Sequence, residues 1–200
     1  MSVTSEARRA QIVAAAIDTL SEFGYAGTSF AKIAARAGIS STRLISYHFE
    51  GKNDLMTAVV DHIVLNAEQY MNTRLAAAGP GRWPRLSAYI TANLNYHRDR
   101  PEQLRALIEI SNNVRAADGD PQRIPHHQEA TLARLEAELR EGQSSGEFTD
   151  FDPHVLAVTL RSAIDAAGIR YATGALTDPD AYAAELVELF RRATVATTRA

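Results

Sequence analysis

Between Ser29 and Phe49 the chain has room for two helices of about two turns each and a tight turn, and for nothing larger. Gly38 divides that stretch, because glycine enters left-handed backbone without steric cost and so ends one helix and redirects the chain into the next. Ala34, four residues earlier, is small enough for the following helix to cross closely, and Ser40 or Ser41 can accept hydrogen bonds from that helix's first free amides. Short consecutive helices joined in this way meet the requirement of a helix-turn-helix. Ile33, Ala37, Ile39, Leu44 and Tyr47 are expected to form its internal core. Ser40, Ser41, Thr42, Arg43 and Ser46 then face outward, where hydroxyls and a guanidinium suit base edges in the major groove of double-stranded DNA, Arg43 foremost. Thr28, Ser29, Lys32, the Tyr47 hydroxyl, His48 and Lys52 surround that face and are expected to meet phosphates, which fix register and not sequence preference. The same spacing also fits a small three-helix packing unit with a serine-rich turn.

The remainder predicts an all-α chain of about nine helices, since period-two apolar runs are absent while Ala, Leu, Glu and Arg recur at helical spacing. A first helix from about Ser5 to Phe23 stops at Gly24, and a long one opens at Gly51-Lys52-Asn53 and closes by Gly79-Pro80-Gly81. Breaks at Pro101, Asp118 to Pro121 and Pro125 separate three more. Asp152-Pro153 and Asp178-Pro179 each read as a capping aspartate followed by proline at the first helical position, with Gly174 just past the end of the intervening helix. Residues 1–52 are expected to be the DNA-binding domain and 53–200 a helical ligand-binding and dimerisation domain.

Composition removes several classes of function. The 200 residues contain no cysteine, so disulfides, thiol nucleophiles and cysteine zinc sites are excluded. No stretch approaches the roughly 20 apolar residues of a membrane span, and Met1 to Glu6 carry no apolar leader segment, so a cytoplasmic protein without a membrane partner is expected. Up to Phe49 five basic residues face three acidic ones; beyond it, 16 basic face 21 acidic. Any phosphate-binding surface therefore belongs to the N-terminal part.

Four segments in order, Gln11 to Ala16, Phe23 to Ser29, Ile33 to Ser40 and Tyr47 to Leu55, resemble the N-terminal domain of TetR-family regulators over roughly Arg8 to Val60. The resemblance implies a ligand-responsive repressor, cytosolic and homodimeric, released from its operator when a small molecule binds the C-terminal helices. Two departures stand out: eleven residues, not ten, lead from Gly38 to Phe49, and Gly51 replaces a better-capping serine.

Residues 60 to 200 carry less of that resemblance. Apolar stripes on the last two helices (Leu160, Ile164, Ala167, Gly168, Tyr171; Tyr182, Leu186, Leu189, Phe190, Ala193) suit either monomer core or the homodimer interface that the resemblance implies. A two-fold axis there would match a palindromic operator. Tyr89, Asn93, Tyr96, His97, Ser111, Arg115, Arg161 and Asp165 are polar groups among apolar ones, expected to line a pocket for a hydrophobic effector with one or two polar handles. Arg161 and Asp165 equally fit an i,i+4 ion pair. Gly142-Gln143-Ser144-Ser145-Gly146 matches the G-x-S-x-G nucleophile pattern, but a charged helix precedes it where that chemistry needs a strand, so no catalytic residue is expected. His126-His127 lack metal-ligand spacing, and neither metal nor cofactor is expected. A helical interaction protein without DNA affinity is the remaining alternative.

Overall fold

The computed structural model describes residues 3–114 and 123–196. Among them it contains nine helices and no strand: α1 (Val3–Gly27), α2 (Phe30–Arg36), α3 (Thr42–His48), α4 (Lys52–Ala76), α5 (Arg82–Asp99), α6 (Pro101–Val114), α7 (Arg123–Ser144), α8 (Pro153–Ala172) and α9 (Pro179–Thr194). The breaks expected at 118–121 lie outside the described residues. Pro125 does not precede α7 but falls in its first turn, where a missing amide proton breaks no helical bond.

The chain forms two compact units. The first comprises Met1–Asn66 with Arg100–Pro121, and so extends beyond the stretch 1–52 read as DNA-binding. Its core follows helical periodicity: Ile12, Ala16 and Leu20 are fully buried along one face of α1, against Ala106 and Ile110 of α6. Gly24 interrupts α1 with φ +68°, so the regular helix ends where the sequence placed its stop. Leu55, Met56, Val59 and Ile63 of α4 are also buried and belong to this unit.

The second unit comprises Ala67–Asp99 with Gln122–Ala200. Leu86, Ile90 and Leu94 on α5, Leu135 and Leu139 on α7, Leu160, Ile164 and Ala167 on α8, and Leu186 and Phe190 on α9 make one apolar cluster. Both capping aspartates act as expected: Asp152 accepts from the amides of His154 (2.8 Å) and Val155 (3.0 Å), and Asp178 from Ala181 (2.9 Å).

The G-x-S-x-G segment is the joint that ends α7. Gly146 has φ +77°, and the Gly142 carbonyl accepts from the amides of Glu147 and Phe148, each at 3.0 Å. The Ser144 hydroxyl donates back to the Arg140 carbonyl (2.9 Å), and Gln143 donates to the carbonyls of Thr149 and Phe151. Gly142 is required by packing, since the Phe148 ring lies where a side chain would be. Helix termination explains every residue of the pattern.

Candidate nucleic-acid interface

Ser29 caps α2 and Ser41 caps α3, accepting from the amides of Lys32 (3.3 Å) and Arg43 (3.1 Å). Between the helices Gly38 takes φ +65°, with its amide donating to Ala35 (3.2 Å) and that of Ile39 to Ala34 (3.0 Å). Nothing stands within 4 Å of the side chain that an alanine would add at 38, so backbone conformation alone demands glycine there.

The inward face of α3 differs from the expected one. Ile45 and Phe49 are buried, Leu44 is half-buried, and Tyr47 is 80% exposed, so Tyr47 is not part of the core. Moving the inward position from residue 44 to 45 turns the helix by about 100°. Residues two before and two after Ile45 then lie opposite the core, which places Arg43 and Tyr47, four apart, side by side on the outermost ridge. Ser40, Ser41, Thr42 and Ser46 flank them and are exposed. The Arg43 guanidinium makes no hydrogen bond or ion pair among the described residues.

The expected phosphate contacts divide. Ser29 and Lys32 are exposed, although the Lys32 ammonium already donates to the Gly27 carbonyl (2.9 Å) and sits 4.0 Å from the centre of the Phe23 ring. His48 is half-buried with its ring edge-on to Tyr47. Thr28 departs from expectation: it is buried, and its hydroxyl donates to the Gly24 carbonyl at 2.7 Å. Lys52 departs too, its ammonium donating to the carbonyls of Tyr25 (2.6 Å) and Thr28 (3.0 Å) and resting 4.0 Å from the Tyr25 ring centre. Burial there pulls its pKa down.

Several supporting side chains were not foreseen. Arg9 donates to the His48 carbonyl (2.9 Å) and lies over the Phe49 ring, and Gln11 donates to the Ala37 carbonyl (2.6 Å), so α1 holds the C-terminal ends of both α2 and α3. Glu109 of α6 accepts from the Tyr25 amide at 2.8 Å, leaving Tyr25 held by Glu109 at its N–H and by Lys52 at its C=O. Asp54 accepts from the Glu50 amide (3.0 Å), one residue ahead of Gly51, and so ties the chain entering α4 to its first turn. Apart from the local Glu50–Asp54 bond, these pairs are distant in sequence, and only helix packing reveals them.

In the second unit, Tyr89, Asn93 and His97 occupy successive turns of one α5 face, opposite Arg161 and Asp165 of α8. Arg161 donates through one terminal nitrogen to Asn93 Oδ1 (2.9 Å) and the Tyr89 oxygen (3.2 Å), and through Nε and the other to Asp165 Oδ1 (3.1 and 2.6 Å). Burial, reinforced by the Arg161 charge, pushes His97 down to about 4. Its Nδ1 is shut off from solvent and has no hydrogen-bond partner among the described residues. Tyr96 is buried, its ring edge-on to that of Tyr70 with centroids 5.1 Å apart. Ser111 belongs to the first unit, and Arg115 lies outside the described residues. Most of the expected stripe residues of α8 and α9 are core, while Val155, Val158, Ile169 and Leu189 form an exposed apolar set.

Residues 12–59, which contain α2, α3 and their supports, match the family model described as bacterial regulatory proteins, tetR family. Over these residues the chain is similar to the TetR family. Among curated relatives, the HTH-type transcriptional regulator BetI of Paraburkholderia xenovorans is 36% identical over 90 residues, which is 45% of this chain and 46% of that protein. The chain thus matches about half the length of these relatives. A protein from Saccharomonospora viridis described as a transcriptional regulator, solved in complex with choline, superposes with TM-score 0.85 at 23% identity, covering 96% of this chain and all of that one. NalD of Pseudomonas aeruginosa, the secondary repressor of the MexAB-OprM multidrug efflux pump, does so with TM-score 0.76 at 20% identity over 98% and 100%. At these identities the two structures show that the chain shares their fold. No helix among the described residues is long and apolar enough to cross a membrane.

Proposed function

We propose that the chain is a ligand-responsive transcriptional repressor of the cytoplasm that places α3 in the major groove of a palindromic operator. The observation that carries this reading is the outermost ridge of α3, where an unpaired guanidinium and an exposed phenol stand side by side on a helix capped and turned as groove insertion requires. Arg43 reads base edges, with Tyr47 beside it; Ser40, Ser41, Thr42 and Ser46 border them, and Ser29, Lys32 and His48 approach the backbone. The exposed Val155, Val158, Ile169 and Leu189 support a homodimer through α8 and α9, and the choline-bound neighbour supports a small-molecule effector, which we assign to the C-terminal helices.

Titration of the purified protein onto the DNA upstream of its own gene, against random duplex, tests the reading. Salt-sensitive preference for the upstream DNA is expected. Arg43→Ala should weaken that specific complex by about 1–3 kcal/mol while leaving random-duplex affinity nearly unchanged, and Tyr47→Ala should act in the same direction. Equal losses on both DNAs would remove Arg43 and Tyr47 from the base-reading role. Lys52 is a different case, since its ammonium is engaged with two carbonyls. Lys52→Ala should lower stability by about 1–2 kcal/mol in thermal melts and leave the slope of log K against log salt unaltered. A slope shallower by about one would return Lys52 to the phosphate contacts.

A further inference from the structure

We propose that the cluster formed by Arg161, Asp165, His97 and Tyr89 recognises a small organic carboxylate, for which the Asp165 carboxylate stands in when the site is empty. The inference rests on the reading of the C-terminal helices as effector-binding and adds the chemical class of the effector. Taking a guanidinium out of water is costly unless a carboxylate pairs with it well. The Arg161 side chain keeps 17% of its exposure, yet its carboxylate partner is half exposed and offers a single oxygen, Oδ1, to both Nε and a terminal nitrogen. The two-oxygen fork that makes guanidinium–carboxylate pairs strong is therefore unfilled.

Two further groups in the same place have hydrogen-bonding capacity left over. His97 Nδ1 is sealed from solvent without a partner among the described residues, an arrangement that folded proteins rarely tolerate without a purpose. The Tyr89 oxygen accepts from Arg161, and its own proton is assigned to no acceptor among the described residues. The imidazole is neutral at pH 7, so it can donate without adding charge. A ligand carboxylate would thus find two N–H donors on Arg161, one O–H on Tyr89 and an imidazole, while Asp165 swings to water from its exposed position. A quaternary ammonium would instead face a buried like charge. The recognition chemistry assigned here is opposite in sign to that needed for the choline held by the structural neighbour from Saccharomonospora viridis.

The test is isothermal titration of the full chain at pH 7 with benzoate, octanoate, their primary amides and choline, alongside operator binding by the same protein. At least one carboxylate is expected to bind at micromolar to millimolar concentration and its amide at least tenfold more weakly. Arg161→Gln should lose at least tenfold in carboxylate affinity, and Asp165→Asn, which removes the internal competitor, should gain severalfold. His97→Gln, a milder change, should lose affinity severalfold and keeps the test open where Arg161→Gln does not fold. Choline binding undiminished by Arg161→Gln, or no binding by either carboxylate, overturns the proposal. Release of operator DNA by choline but by neither acid would leave effector sensing standing and remove only the carboxylate assignment.

Discussion

Gly142→Ala is expected to lower the melting temperature by roughly 6–12 °C, corresponding to a loss of about 3 kcal/mol for a chain of this size. A methyl group at 142 would overlap Cδ2 and Cε2 of the Phe148 ring, far inside van der Waals contact. The ring cannot swing aside freely, because Phe148 is a buried member of the second unit's core. Nor can the backbone slide, since the amides of Glu147 and Phe148 both converge on the Gly142 carbonyl. Ser144→Ala serves as the control: it removes one exposed bond to the preceding turn and should shift stability by less than about 0.5 kcal/mol. Circular-dichroism melts of the two variants decide the matter. A Gly142→Ala protein that melts with the parent would mean that Phe148 does not pack against this joint.

Acid should destabilise the chain in a window set largely by His97. Its pKa is about 4 in the folded protein against 6.5 for the free side chain, so the unfolded state takes up the proton first as pH falls. The stability associated with keeping the ring neutral is complete above pH 6.5, declines from there towards pH 4, and is gone below it. A difference of this size corresponds to about 3 kcal/mol. Denaturant titrations from pH 7.5 to 4 should show this loss in the parent and a shallower one in His97→Gln, which cannot charge. Parallel curves for the two proteins would place the acid sensitivity elsewhere.

Local chemistry made much of the architecture legible in the sequence. Aspartate-proline pairs at 152 and 178 announce helix starts because both the cap and the ring act within one turn. Gly38 does the same for the turn, since its requirement lies in its own backbone. The facing of α3 was not legible in this way: Leu44 and Ile45 are both apolar, and periodicity cannot choose between neighbours when a motif carries one extra residue. Thr28 and Lys52 were misplaced for a related reason, because their polar atoms are satisfied by carbonyls that packing brings near, and a sequence does not display free carbonyls. The polar stripe of α5 and the pair on α8 could each be seen alone. That Arg161 joins them is a fact of tertiary packing, as is the position of the Phe148 ring over Gly142.

Tyr25 is fastened at both backbone ends, by a carboxylate from α6 and an ammonium from α4, at the point where α1 gives way to α2. A peptide clasped by opposite charges in this manner leaves the two-helix motif no pivot of its own. The orientation of α2 and α3 is consequently set jointly by the elements of the first unit that hold them, α1, α4 and α6.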